Sequence, residues 1–198
     1  MTKILSVSFL GLVAACAANA PETTSTTADD LSTHACPDNV PAALAPAADQ
    51  DLAFVLRASG VQEYTCNGTA WVFVAPDAQL YPAHSCEADD DAVGHHYAGP
   101  TWEWYEDGST VVGKKAAAAT VDATAIPWLL LTAVSHGAND GRMSDVTSIQ
   151  RLDTVGGLAP TTGCDADHVG ATANVPYTAK YFFYRSRPNA HHRVRCGA

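Results

Sequence analysis

Basic side chains are scarce in this chain. Lys and Arg number 11 against 21 Asp and Glu, giving a formal net charge of −10. A surface of that sign repels phosphate, which argues against nucleic acid and an anionic membrane surface as main partners. Other signatures are missing as well. No G-x-G-x-x-G follows a strand, so a dinucleotide fold has no support. There is no Gly-x-Ser-x-Gly elbow, and Ser135-His136, adjacent in sequence, do not make a dyad. No C-x-x-C suggests a zinc ribbon or a thioredoxin-like pair. Among 8 His none has ligand spacing such as H-E-x-x-H. Groupings of His95 or His96 with His84, His136 or His168 therefore carry no metal expectation, and no cofactor is expected. Beyond the first residues no apolar run approaches the about 20 residues that a transmembrane helix needs.

What is there begins with an export signal. Lys3 is followed by the apolar run Ile4 to Val13, too short to span a bilayer. Val13-Ala14-Ala15-Cys16 resembles a bacterial lipobox, in which the Cys is acylated and becomes the mature N-terminus. The rival is cleavage after Ala18-Asn19-Ala20, which would leave Pro21, a poor first residue. The expectation is a signal peptide over 1–16 with Cys16 lipidated, so that the chain is anchored without spanning. Ala17 in place of Asp points to the outer membrane. Residues 17–50, rich in Ala, Thr, Pro and Asp, read as a flexible tether. Residues 51–186 read as one domain, and 187–198 as a basic tail carrying Arg187, Arg193 and Arg195. Export makes disulfides favourable. Cys36, Cys66, Cys86, Cys164 and Cys196 remain after Cys16, an odd count that suggests two bridges and one spare.

The domain is patterned for strands. Asn67-Gly68 between β-prone runs predicts a two-residue hairpin with Tyr64 opposite Trp71 and Gln62 opposite Phe73. Leu52 to Leu56, and Ile126 to Val134 with its Pro127, fit either strand or helix by periodicity. Val146 to Thr154 alternates, and Ala173 to Tyr184 is strongly β-prone with Val175, Tyr177, Ala179, Tyr181 and Phe183 on one side. The acidic run Glu87, Asp89, Asp90 and Asp91 lacks the spacing of a calcium loop and reads as solvated. The expected fold is mainly β: an antiparallel sandwich or barrel of about seven to eight short strands, with at most one or two short helices.

The stretch Val93 to Val112 concentrates the chemistry. Asp107-Gly108 predicts a second tight hairpin, with Trp104 facing Val111 and Glu103 facing Val112. Alternation places Trp102, Trp104 and Glu106 on one face and Glu103 and Tyr105 on the other, and it sends His95 and His96 to opposite faces. Gly99-Pro100 interrupts the strand and predicts a bulge or bend.

Several phrases resemble a known family. Gly94-His-His-Tyr-Ala-Gly-Pro-Thr-Trp-Glu103, Asp107-Gly-Ser-Thr-Val-Val-Gly113, Ile126-Pro-Trp-Leu-Leu-Leu131, Ile149-Gln-Arg151 with Thr154-Val-Gly-Gly157, and Val175-Pro-Tyr-Thr-Ala179 are similar to a family of secreted bacterial and fungal proteins classed as a domain of unknown function (number 3455). The resemblance covers about Leu52 to Arg185. It implies an extracytoplasmic domain and no activity. Some fungal members carry a malate dehydrogenase label, which the missing dinucleotide motif rejects for this chain. Cys66 and Cys164 fall in family-like phrases, so the resemblance makes them the first candidates for a bridge; Cys36, Cys86 and Cys196 stay open.

Two functions remain. The first is a binding or structural module of the cell envelope, whose partner is an envelope glycan or another envelope protein. Trp102, Trp104 and Tyr97 are its candidate contacts. Trp71 and Trp128 are further flat surfaces, and pairing within the core is the competing use of all of them. The second is an envelope polysaccharide hydrolase with His96 and Glu103 as catalytic candidates. A carboxylate pair of Glu103 with Glu106, Asp107 or Asp153 is the other arrangement, and either chemistry needs a perturbed, buried group.

Overall fold

The computed structural model describes residues 36–83, 91–137 and 140–187. Eight strands form one closed barrel in sequence order. They are β1 (Gln50–Cys66), β2 (Trp71–Pro82), β3 (Gly94–Tyr97), β4 (Thr101–Trp104), β5 (Thr110–Ala119), β6 (Trp128–His136), β7 (Val146–Gly156) and β8 (Thr172–Ser186). Every neighbour is antiparallel, and β1 pairs with β8 to shut the cylinder. An up-and-down barrel removes both sheet edges, which a single sheet of this size leaves open. The runs at Leu52–Leu56 and Ile126–Val134 resolve to strand, and the only helical elements among the described residues are two 3-10 turns, Ala42–Leu44 and Ala166–His168.

Period-2 alternation sorts the side chains into two layers. The lumen holds Phe54, Leu56, Leu80, Trp102, Tyr181 and Phe183, all buried. The outer face of β1, β7 and β8 is also apolar at Val55, Leu152, Phe182 and Tyr184. The segment before β1 covers it. Leu44 is fully buried there, and its carbonyl accepts a 2.6 Å bond from Gln150 Nε2. Packing therefore starts ahead of the boundary expected at residue 51, because strands apolar on both faces need a second cover.

Both predicted tight hairpins are wider than two residues. At the first, Cys66 lies opposite Trp71 and Tyr64 opposite Phe73. A type I′ turn needs positive φ at both central residues, yet of the pair only Gly68 has it (φ 95°). Asn67 Oδ1 instead accepts from Thr69 N at 3.0 Å and Ala70 N at 2.9 Å, holding a four-residue loop. At the second, Glu103 pairs with Thr110 and Trp102 with Val111. Gly108 N bonds the Trp104 carbonyl at 2.8 Å, and Asp107 accepts from Ser109 N at 2.8 Å and Arg142 N at 2.7 Å. The Asp107 carboxylate is thus used to tie two loops together. Gly99-Pro100 is neither bulge nor bend: it lies in the turn that joins β3 to β4.

Cys66 and Cys164 form a disulfide that staples the end of β1 to the loop before β8. Cys36 is also disulfide-bonded. Cys16, Cys86, Cys196, His84, the acidic residues 87–90, the leader and the tail beyond Arg187 lie outside the described residues.

Candidate functional site

The barrel closes strand to strand, but among the described residues part of its wall is short. β3 and β4 are four residues each. β3 pairs with β2 only from Ala78 to Leu80, and β4 with β5 only from Thr101 to Glu103. Beyond that short hairpin, β2 from Trp71 to Asp77 and β5 from Gly113 to Ala119 run on with no strand between them among the described residues. Each keeps its other neighbour, β1 or β6. The gap is a window into the lumen, floored by the Gly99-Pro100 turn, which is pinned to β5 by the 3.0 Å bond from Gly113 N to the Pro100 carbonyl. Bulges mark both rims. Val74 is the extra residue between Glu63–Ala75 and Tyr64–Phe73, and Ala116 is the extra one between Lys115–Leu131 and Ala117–Leu130. Bulges bend a strand away from its neighbour and often border sites.

Behind the window lies a cavity of about 460 Å³. Its apolar wall is Phe73, Val74, Pro76, Pro100, Leu129 and Leu131; its polar wall is Gln62, His96, Trp102, Arg151 and Tyr181, with Lys114 and Lys115 at the rim. Gly99 and Gly113 complete the lining, and a Cβ at Gly113 would come within 2.9 Å of the Trp102 ring, so a larger residue there would displace the indole. Phe73 and Val74 are 50% and 56% exposed, an unusual state for such side chains on a strand beside an opening.

His96 belongs to this wall. It is buried, stacked on Trp102 with ring centroids 4.2 Å apart, and edge-on to Tyr181 at 5.0 Å. Its Nδ1 is 2.8 Å from the Thr101 carbonyl. A carbonyl cannot donate, so Nδ1 carries the proton and Nε2 keeps a free lone pair. Burial pushes its pKa down to about 3, so the ring is neutral at physiological pH. Tyr177 and Tyr181, hydroxyls 3.4 Å apart, are held protonated by the same burial.

Glu103 is on the other side of the wall. It pairs with His95 on the outer face, and a hydrogen bond from Tyr97 reaches its carboxylate. His95 Nε2 meets Asp77 Oδ1 at 2.7 Å on that same face. One-residue alternation therefore separates His96 from Glu103, and the two do not share a pocket. Trp102 faces the lumen, Tyr97 the exterior, and Trp104 packs under Arg142, whose guanidinium sits 4.6 Å over its ring. No open row of indoles appears among the described residues. Among the other acids, Glu106 and Asp107 sit at the exposed turn, and Asp153 pairs with Lys180 at 3.0 Å. No group of three potential metal ligands occurs among the described residues.

Gln62, Lys114, Lys115, Arg151 and Tyr181 were not singled out by the sequence. One signal pointed to Arg151: it shares the alternating face of Ile149, which is buried in the lumen. A charge on a core-facing register is the mark of a polar interior. Comparison with curated proteins and with solved structures gave no match. Residues 46–185 match the family described as "Protein of unknown function (DUF3455)", and the chain belongs to that family.

Proposed function

We propose that this domain is a non-catalytic binding protein of the cell envelope, tethered through Cys16, which holds a small molecule in its barrel lumen. The observation that carries the reading is the windowed cavity of about 460 Å³. Eight-stranded barrels have an interior just wide enough to be filled by side chains or to hold one small ligand, and here one wall is left open. A pocket with an apolar lining and a few converging polar groups is the usual form of a small-molecule site. Two further facts support the cellular setting. Disulfides at Cys66–Cys164 and Cys36 fit an oxidising compartment, and the run ending in Ala14-Ala15-Cys16 fits an acylation site.

The lumen is tested with 2-naphthamide, a flat neutral molecule, by titration calorimetry. Saturable binding of one equivalent is expected, weakened by Leu129→Trp, which fills the cavity. Binding that is unsaturable, or indifferent to Leu129→Trp, removes the lumen from the reading. The tether is tested by palmitate labelling of cells, which Cys16→Ala is expected to abolish.

A further inference from the structure

The window and cavity also carry information about charge. Within a chain of net charge −10, the residues lining the cavity include Lys114, Lys115 and Arg151 and no Asp or Glu. Arg151 is the innermost of the three. Its Nε and Nη2 bond the Pro127 carbonyl at 3.2 and 2.8 Å, and it has no carboxylate partner among the described residues. Its charge reaches Tyr64, His96, Tyr177 and Tyr181. Arg151 is half-buried and also hydrogen-bonds the Tyr181 hydroxyl, and a guanidinium among apolar walls without a counter-charge is stabilised when an anion joins it.

One orphaned donor stands in the same wall. Trp102 Nε1 is a buried atom with no hydrogen-bond partner, on a side chain 1% exposed. Gln62, by contrast, hydrogen-bonds the Tyr177 hydroxyl. Buried donors are nearly always satisfied, so an orphan in the cavity wall calls for an acceptor. A third feature sets the shape of the ligand. The stacked His96–Trp102 pair and the Phe73, Leu129 and Leu131 side chains offer flat apolar surfaces.

Resting on the lumen reading, we infer that the ligand is an organic anion: a carboxylate, or an oxyanion of like charge, on a flat apolar body. The oxyanion sits against Arg151 and the Trp102 indole N–H, and the apolar body lies along Leu129 and Leu131. The His96 Nε2 lone pair repels the oxyanion from its own side of the cavity and accepts a hydroxyl or N–H of the body. Lys114 and Lys115, exposed on the rim, draw the anion toward the window past an otherwise acidic surface.

The test uses three naphthalenes of the same size on the folded protein with its disulfides intact: 2-naphthoate, neutral 2-naphthamide and cationic 2-naphthylmethylammonium. Naphthoate is expected to bind at least about tenfold more tightly than naphthamide, as one charge-assisted contact supplies, and the cation weakest. Arg151→Gln is expected to abolish the preference for naphthoate over naphthamide. The exposed pair Lys114→Gln with Lys115→Gln, which leaves the core untouched, is expected to lower naphthoate affinity at low salt and spare naphthamide. Equal binding of naphthoate and naphthamide overturns the anion inference and leaves the lumen reading standing. A preference that survives in Arg151→Gln and in the lysine pair also overturns it. If none of the three compounds binds saturably, both readings fall.

Discussion

His96 shows how one residue of register decides a role. Its neighbour His95 points outward and meets Asp77, while His96 turns into the lumen and loses contact with water. The energetic consequence is a pH dependence of stability. The folded pKa is about 3 and the unfolded value 6.5. Above pH 6.5 the ring is neutral in both states and burial of charge plays no part. Below it the unfolded chain binds a proton that the folded chain refuses, so stability falls as pH falls, by about 1.4 kcal/mol per unit down to about pH 3. Between pH 6.5 and 5 this single site is expected to remove about 2 kcal/mol. Urea denaturation of the wild type and of His96→Gln at both pH values checks this; equal losses in the two proteins contradict it. The burial was not legible in the sequence. Alternation separated His95 from His96 and Glu103 from Trp102, as the strands have it, but it does not say which face is the interior. Arg151 was missed for a related reason: both faces of β7 are covered, so its place on the face of Ile149 did not by itself mark that face as the interior.

Among the elements, the strands were legible and their turns were not. Runs of β-branched and aromatic residues mark β7, β8 and the second half of β1 well, while Leu52–Leu56 and Ile126–Val134 fitted strand or helix alike. Both Asn67-Gly68 and Asp107-Gly108 do form hairpins. Their registers slip by two residues because the Asn67 and Asp107 side chains bond neighbouring amides, which a glycine-led tight turn has no use for. Side-chain capping of this kind depends on the loops that approach, Arg142 in one case, and those come from far along the chain. The short β3–β4 hairpin was likewise invisible, because Gly99-Pro100 resembles an irregularity within one strand. The disulfide closes a span of 98 residues, long enough to restrict the unfolded chain strongly. Replacing Cys66 and Cys164 together by Ser is expected to lower unfolding free energy by about 3–5 kcal/mol. An unchanged denaturation midpoint would show that the loop before β8 is held by other contacts.

For the molecule as a whole, two layers and one opening follow from strand lengths and patterns. Six strands of nine to seventeen residues enclose a lumen, while two strands of four residues leave part of one side unfilled. The outer apolar face is closed by the segment around Leu44, which packs on Leu152, Phe182 and Tyr184. Leu44→Ala is expected to destabilise by about 3 kcal/mol, the size of a cavity left by a fully buried leucine, read as a drop in denaturation midpoint with ligand affinity unchanged. The class of fold and the family were open to sequence reasoning. The window was not, because it is made by the absence of strand between β2 and β5 among the described residues, and no local pattern encodes an absence. Ligand binding in that window is the central claim, and the four Trp allow a direct look. Trp102 alone of them lines the cavity. In a ¹H–¹⁵N spectrum followed through a titration with 2-naphthoate, the Trp102 indole N–H is expected to shift saturably and furthest, with Trp71, Trp104 and Trp128 moving little. A Trp102 signal that stays in place while naphthoate reaches millimolar concentration, or shifts that fall mainly on the other three, would contradict a ligand in the lumen.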